Sequence, residues 1–250
     1  MTQNLSKNDK KTAKVICCYF GDRRSIHNTP VNIFDFLLLN IENEISIDNG
    51  MPTDVFLINN DIGNIELNEK LMKYNGVKTI NGEIIVKNRP NLCGSFGAYY
   101  ETFLYHKNEY DYWFFCEDDV LIFKQNYIKL FSDFLDSSDD IGFISLAPMS
   151  KGSYPLHSGG GCGMTSTEKF IKSRGVNYMV NYLTQCPKNT DYSFLENSEI
   201  DFTNAFVRSG LHIKNHPDYS PFCINYKTHL GQNNNIDDLV NLEKIYKVGF

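Results

Sequence analysis

Short apolar segments alternate along the chain with segments in which apolar residues recur every three or four positions. The apolar segments are typical of strands buried on both faces, and they predict strands near 13–20, 54–58, 83–87, 112–116 and 141–146. The periodic segments between them predict helices near 29–45, 65–74, 94–107 and 124–136. Alternating strands and helices predict a single α/β domain with a mixed, mostly parallel sheet, right-handed crossovers and flanking helices.

Polar clusters follow three of the predicted strands at the point where each strand ends. Asp22 and Arg23 lie in "GDRR" after the first strand, Asn60 and Asp61 lie in "NND" after the second, and "EDD" at 117–119 follows the fourth. In parallel α/β sheets, ligands bind beyond the carboxyl ends of the strands. We therefore expect these clusters to face one shared cleft.

The acids Glu117, Asp118 and Asp119 interrupt a run of aromatic and aliphatic residues, "DYWFFCEDDVLIF". Unpaired carboxylates in apolar surroundings would cost several kcal/mol, so the pattern implies something that neutralises or hydrates them. One explanation is a solvent-exposed turn between two strands. The other is Mg²⁺ or Mn²⁺, which bind a few carboxylate oxygens while substrate phosphates complete the coordination shell. The shared cleft favours the cation.

Composition excludes some classes of partner and leaves others open. The chain has 250 residues and a formal net charge of −6, and it has no basic stripe of the kind that binds nucleic acid. Its seven cysteines lack zinc-site spacing and predict reduced thiols and a cytoplasmic location. No apolar run is long enough to span a bilayer. Residues 1–13 predict a disordered tail whose lysines leave peripheral membrane contact open, and residues 14–250 predict the folded domain.

The sequence after residue 146 is less regular. "APMSKGSYPLHSGGGCGM" is rich in Gly, Ser and Pro and predicts a mobile loop over the cleft. "STEKFIKSRG" predicts a short helix that ends at Gly175. "SEIDFTNAFVRSG" predicts another helix that begins at Ser198, with Asp201 three residues later as in a capping box, and that ends at Gly210.

Two segments carry a resemblance to a known family. "NRPNLCGSFGAYYETFLYHKNEYDYWFFCEDDVLIF" resembles the block of GT-A-fold nucleotide-sugar glycosyltransferases in which a helix precedes a central strand and its acidic DxD triplet. Here Glu117 stands in the first acidic position and Asp119 in the last. "NSEIDFTNAFVRSGLHI" is similar to the Glu-Asp-x-Asp-Leu segment of inverting members, with Glu199 at the catalytic-base position and Asp201 at the following acid. The resemblance extends over residues 14–230.

The chain departs from the family pattern at two positions. Glu117 replaces the commoner Asp, which lengthens the side chain that would meet the metal or the ribose. Ser198 stands where inverting members often carry Glu, so the match to the base motif is partial.

The resemblance implies a GT-A-like, Rossmann-like fold and the transfer of a sugar from a nucleotide diphosphate donor, with inversion. The acceptor would be a hydroxyl of a glycan, a lipid-linked sugar or a protein. Mn²⁺ or Mg²⁺ would stabilise the leaving diphosphate. Glu199 would take the proton of the acceptor hydroxyl. The alternative for both Glu199 and Asp201 is a structural one, because acids at the start of a helix are favoured by the macrodipole or act as caps.

The resemblance also implies a set of site residues. Metal ligands are predicted at Glu117, Asp119 and His229, with His216 as the rival of His229. Residues predicted to contact the nucleotide sugar are Tyr19, Phe20, Asp22, Arg23, Asn60, Asp61, Asn91, Ser95, Glu117, Asp118, Gly160 and Gly161. Three tyrosines would stack on sugar rings or, as the many aromatic residues of the chain favour, pack in the core, namely Tyr99, Tyr100 and Tyr154.

Two other functions remain open from the sequence. A nucleotidyltransferase acting on sugar phosphates would carry a Gly-rich segment with Lys or Arg directly after the first strand, and "FGDRRS" matches this in part. A non-catalytic module on the same fold would bind nucleotide sugars or glycans without turnover. The acids at 117–119 together with Glu199 argue against the binding module.

Overall fold

The computed structural model describes residues 10–18, 33–60, 63–146, 158–173, 192–217 and 223–225. The strands are β1 (Thr12–Cys18), β2 (Thr53–Asn59), β3 (Ile84–Asn88), β4 (Tyr112–Glu117), β5 (Val120–Ile122), β6 (Ile141–Ser145), β7 (Gly163–Ser166), β8 (His212–Asn215) and β9 (Cys223–Asn225). The helices are α1 (Ile33–Ser46), α2 (Ile65–Met72), α3 (Gly94–His106), α4 (Tyr127–Asp136), α5 (Thr167–Lys172) and α6 (Tyr192–Arg208), with a 3₁₀ turn at Gly159–Gly161. No helix among these is both long and apolar enough to cross a membrane.

Seven of these strands form one sheet in the order β3-β2-β1-β4-β7-β6-β8. β1 pairs in parallel with both β2 and β4, and β7 runs antiparallel to its neighbours β4 and β6. The sheet is therefore mixed and mostly parallel, and the predicted fold class is confirmed. The order of the strands reverses direction between β1 and β4, and in open α/β sheets such a switch point opens a crevice at the carboxyl ends.

The central strands are buried on both faces because helices cover each side. On one face, Ile16 and Phe114 share a core with residues of α1 and α4, such as Leu37 and Phe131. On the other face, the alternate residues of the same strands pack against α3, α5 and α6. Since both faces are apolar, the strands are continuous apolar runs, which is why the sequence pattern predicts them well.

The carboxyl ends of β1, β2 and β4 lie at one edge of the sheet. Cys18 pairs with Asn59 at the ends of β1 and β2, and Cys17 pairs with Glu117 at the end of β4. The prediction that these strands share a sheet and end at a common edge is confirmed. Asp22 and Asp61, which follow two of the strands, lie outside the described residues.

A charged pair lies inside the core and joins α1 to β1. The Lys14 Nζ is 2.5 Å from the Glu44 Oε1, and both side chains are almost fully buried. The Lys14 ammonium also lies 5.1 Å from the centre of the Tyr127 ring. Removing one partner of such a pair would leave an uncompensated charge in the core, so the packing of α1 on the sheet requires both Lys14 and Glu44.

Two predicted boundaries differ from the structure. β1 begins at Thr12, two residues before the predicted start of the domain, and residues 1–9 lie outside the described part of the chain.

α6 begins at Tyr192, so Ser198 and Asp201 lie within the helix and do not cap it. The Ser-x-x-acid pattern marks a helix start only where the preceding backbone is not helical, which local sequence does not show. The predicted end of this helix at Gly210 is confirmed, since Gly210 follows α6 with a φ of +80°.

The Gly-rich segment is only partly a loop. Residues 147–157 lie outside the described residues, but Ser158 is fully buried, and its hydroxyl is 2.7 Å from that of Ser145. β7 follows and pairs with β4 in the middle of the sheet. The prediction of a mobile loop is therefore wrong for residues 158–164, because strand pairing and buried hydrogen bonds hold them in place.

Candidate functional site

The three acids lie where β4 turns into β5. Glu117 ends β4, and Asp118 and Asp119 form the turn before Val120. The backbone N–H of Asp118 donates to the carbonyl of Cys17 over 3.1 Å, which ties the turn to β1. Asp118 and Asp119 have no exposed surface. The explanation of a solvent-exposed turn is therefore wrong for Asp118 and Asp119, which lie inside the protein at the switch point of the sheet.

Glu117 is held by the start of α3. The hydroxyl of Ser95 donates to the Glu117 Oε1 over 2.6 Å. Ser95 is buried in the first turn of α3, and the Asn60 side chain donates to the carbonyl of Gly94 next to it. The predicted site residues Ser95 and Glu117 are thus in direct contact.

Gly160 lies between Glu117 and Glu199. Its N–H donates to the Glu199 Oε1 over 2.7 Å. A Cβ placed on Gly160 would lie 3.0 Å from both the Cδ and the Oε2 of Glu117, and the φ of Gly160 is +60°. Glycine is required here both by the left-handed backbone and by the close approach of a carboxylate. The structure therefore brings the acidic turn, the Gly-rich segment and the Glu199 segment to one place.

Asp201 does not join this group. Glu199 lies in the interior of α6, and residues two apart on a helix point in different directions. The face of α6 that carries Glu199 continues with Thr203, whose hydroxyl accepts a hydrogen bond from the Ser158 N–H. The two predicted catalytic acids therefore point in different directions from α6. The explanation of Glu199 as an acid in the first turn of a helix is wrong, because the helix starts at Tyr192.

Two buried side chains that interact with the acids, Cys162 and Tyr99, are neutral. A hydrogen bond to Cys116 and burial raise the pKa of Cys162 well above its usual value, and the charges of Glu117 and Asp119 add to the shift. Burial raises the pKa of Tyr99 in the same way, with smaller contributions from the charges of Cys162 and Glu117. Both groups stay protonated at neutral pH, so neither adds charge to this site.

Carboxylate oxygens are the donors that Mg²⁺ and Mn²⁺ prefer, so the acidic turn fits such an ion in chemical terms. Within the described part of the chain, no group of three or more His, Cys, Asp or Glu side chains is arranged to hold a metal by itself. An ion at this turn would therefore share its coordination between one or two carboxylates and substrate phosphates. Glu117 is partly exposed and Asp119 is fully buried, so Glu117 is the more accessible predicted ligand.

Other predicted residues have structural contacts. The Asn60 Oδ1 accepts from the Arg89 Nη1 over 2.8 Å, and its side chain is buried, so its role in nucleotide binding stays a prediction. Asn91 is partly exposed in the segment before α3, and Gly161 is buried against Phe96. Tyr99 and Tyr100 are buried, as the core-packing interpretation predicted.

The remaining predicted residues lie elsewhere. His216 is buried and stacks on Phe131 with 5.3 Å between the ring centres, and its role as the rival of His229 stays a prediction. Several predicted residues lie outside the described residues and stay predictions, namely Tyr19, Phe20, Asp22, Arg23, Asp61, Tyr154 and His229.

The sequence analysis missed two asparagines of α1. Asn40 and Asn43 are buried and donate to backbone carbonyls of β5, the strand that follows the acids. The signal was present, since Asn40, Asn43 and Glu44 occupy one face of a helix whose other inward positions are apolar. Hydrophobic periodicity does not register a buried polar face.

If the predicted nucleotide-sugar donor binds at Glu117, Gly160→Ala is expected to weaken its binding about tenfold, which corresponds to about 1.4 kcal/mol, because the new methyl group displaces the Glu117 carboxylate. Gly210→Ala is the matched control, since Gly210 also has a positive φ but a Cβ added there would meet nothing within 4 Å. Both variants should lose about 1–2 kcal/mol of unfolding free energy from backbone strain. Urea unfolding and calorimetric titration of the donor measure the two effects. Equal donor affinity in the two variants would contradict the contact with Glu117.

Comparison with known proteins finds similarity in structure only. No protein-family model and no curated protein matches the sequence. A glucose-1-phosphate thymidylyltransferase from Bacillus anthracis, crystallised with sucrose, covers 94% of this chain and 95% of its own at 11% identity, with a TM-score of 0.49. A 4-diphosphocytidyl-2C-methyl-D-erythritol synthase from Anaerococcus prevotii covers 94% of this chain and 99% of its own at 12% identity, with a TM-score of 0.47.

A third similar structure is the UTP-bound UGPase from Acinetobacter baumannii. It covers 93% of each chain at 11% identity, with a TM-score of 0.43. None of the three is named as a glycosyltransferase. At these identities and TM-scores the similarity carries no inference about the reaction, which has to be argued from the site.

Proposed function

We propose that this chain is an enzyme that binds a nucleotide diphosphate sugar at the carboxyl ends of β1 and β4 and transfers the sugar to a hydroxyl acceptor. The observation that carries the proposal is the meeting of Glu117 and Glu199 at Gly160. Sugar transfer needs acids for two different tasks, and here two acids distant in sequence lie beside one glycine at a topological switch point.

The acidic turn has the first task. Glu117 and Asp119 would hold Mn²⁺ or Mg²⁺ against the donor diphosphate, and the ion would supply positive charge to the leaving group. Ser95 orients Glu117 by its hydrogen bond, and the backbone bond from Asp118 to β1 limits movement of the turn. A rigid pair of carboxylates favours one position of the diphosphate.

Glu199 has the second task. Its carboxylate would accept the proton of the acceptor hydroxyl as the bond to the sugar forms. The hydrogen bond from Gly160 fixes one of its oxygens and so limits the orientation of the carboxylate. Attack on the side of the sugar opposite to the diphosphate would invert the configuration at the anomeric carbon.

Nucleotidyl transfer to a sugar phosphate is the second candidate. The observation that favours it is the pair Arg23 and Arg24 in "GDRR" after β1, because two cations suit a nucleoside triphosphate. The acidic turn would hold the metal in either reaction. The two candidates differ in their products, since sugar transfer releases a nucleoside diphosphate and nucleotidyl transfer releases pyrophosphate.

One experiment separates these functions. The purified chain is incubated with Mn²⁺ and a panel of nucleotide diphosphate sugars, and in parallel with nucleoside triphosphates and sugar 1-phosphates. Release of nucleoside diphosphate from one donor, sensitive to EDTA, is the expected result. Pyrophosphate release would establish nucleotidyl transfer instead. Thermal stabilisation by a donor without any product, with or without acceptors, would indicate a binding module and overturn the proposal.

A further inference from the structure

α1 carries a buried polar face that its sequence pattern does not predict. Asn40, Asn43 and Glu44 lie at spacings of three and four residues, and they are 0%, 7% and 0% exposed. Glu44 forms the core pair with Lys14 of β1. Burying three polar side chains on one helix face is costly unless each has a partner, so their partners indicate what the face does.

The partners of the two asparagines are carbonyls of one strand. The Asn40 Nδ2 donates to the Val120 carbonyl over 2.8 Å, and the Asn43 Nδ2 donates to the Ile122 carbonyl over 2.5 Å. Val120 and Ile122 are two residues apart, so their carbonyls lie on one edge of β5. β5 has three residues and also pairs with β9, and the amides of α1 therefore contribute much of its backbone bonding.

β5 begins directly after Asp119. The hydrogen bonds from Asn40 and Asn43 to β5 therefore also affect the position of the acidic turn. The turn is attached to β1 at Asp118, whose N–H donates to Cys17. It is attached to α1 at Val120, through Asn40. The position of Asp119 therefore depends on the distance between β1 and α1, two elements that the buried pair of Lys14 and Glu44 also joins.

We infer that Asn40 and Asn43 are positioning residues for the acidic turn, which hold Asp118 and Asp119 where a metal and a diphosphate can bind. The inference rests on the proposed function for its consequence in binding. In this role both side chains act through the backbone of β5. An apolar side chain could fill the same space, but it would leave the Ile122 carbonyl without this amide donor, and the Val120 carbonyl with only the weak thiol donor of Cys116 at 3.9 Å.

Asn40→Ala and Asn43→Ala test the inference. They are compared with a control variant that loses a buried hydrogen bond elsewhere in the protein. Tyr110→Phe is the control, because it also removes one buried hydrogen bond, from the Tyr110 hydroxyl to Asp54, at the amino end of the sheet. Asn43→Gln keeps a donor and serves as a milder variant if Asn43→Ala does not fold. Urea unfolding ranks all four variants by stability.

Two readouts distinguish positioning from general stability. Amide hydrogen exchange should become at least tenfold faster over residues 118–122 in the Asn variants and stay unchanged there in Tyr110→Phe. Calorimetric titration should show metal-dependent donor binding about tenfold weaker in the Asn variants than in Tyr110→Phe. The probe is the donor found in the transfer assay together with Mn²⁺, or Mn²⁺ alone where no donor is found.

The outcomes for the two proposals are distinguishable. If wild type binds no donor with Mn²⁺, the proposed function fails, and the exchange rates still decide whether the asparagines hold the turn. If exchange over residues 118–122 in Asn40→Ala and Asn43→Ala equals that in wild type, the positioning role is overturned. The Asn variants could show faster exchange over residues 118–122 and still bind the donor as tightly as Tyr110→Phe does. That result would overturn the link between the position of the turn and donor binding.

Discussion

Asp119→Asn should reduce metal-dependent donor binding and turnover together, by about 10²-fold or more. The substitution keeps the size of the side chain and removes one negative charge from the acidic turn. A metal ion and a diphosphate bound at this turn would both depend on that charge, because Mg²⁺ at phosphate sites is held through one or two carboxylates together with the phosphates. Calorimetric titration of the donor with and without Mn²⁺, beside a turnover assay, measures both losses.

Asp133→Asn is the control for this variant. Asp133 is an exposed acid of α4 that pairs with Lys129 over 2.5 Å on the surface. Its neutralisation removes the same charge from the whole protein but none from the site, and a surface pair of this type contributes less than about 1 kcal/mol. Full Mn²⁺-dependent affinity in Asp119→Asn would show that Asp119 is not needed for the metal and would leave Glu117 as the ligand to test.

Glu199→Gln should reduce sugar transfer by about 10²-fold or more and leave donor affinity near that of wild type. The amide oxygen of glutamine still accepts the hydrogen bond from Gly160, so the Gly-rich turn keeps its position. The amide cannot take a proton from an acceptor hydroxyl at neutral pH. Donor titration and an acceptor assay on the same preparation separate the loss of chemistry from a loss of binding.

Asp201→Asn is the control on the same helix. Helical geometry directs residue 201 away from the side that carries Glu199, so this variant should transfer sugar at close to the wild-type rate. Near wild-type transfer by Glu199→Gln would show that Glu199 is not the base. Loss of transfer in Asp201→Asn alone would mean that the acceptor approaches the other side of α6.

The strands that carry the site were predictable because their burial leaves a local signal. β1, β2 and β4 are buried on both faces, and each is a run of apolar residues that ends in a polar cluster. The edge at which the clusters meet follows from the rule that parallel strands in such sheets end on the same side. The pattern of apolar runs and polar clusters was therefore enough to place the acids at 117–119 at this edge of the sheet, and their role in ligand binding stays a prediction.

The limits of α6 and the place of the Gly-rich segment were not predictable in the same way. Ser198 and Asp201 match a local capping signal that the continued helix from Tyr192 makes irrelevant. β7 is four residues long and begins with a glycine, and it becomes a strand because β4 and β6 supply partners on both sides. A strand of this type depends on pairing more than on its own composition.

The sequence by itself determined the alternation of strands and helices, the edge of the sheet where the acids lie and the family resemblance, since these depend on local periodicity and short motifs. Only the tertiary structure decided that Gly160 lies between Glu117 and Glu199, and that Asn40 and Asn43 hold the strand after Asp119. These contacts join residues about 40 to 80 positions apart, and their partners are often backbone atoms, which every residue has. The pattern of side chains along the sequence therefore does not predict these contacts. They follow only from how the helices pack on the sheet.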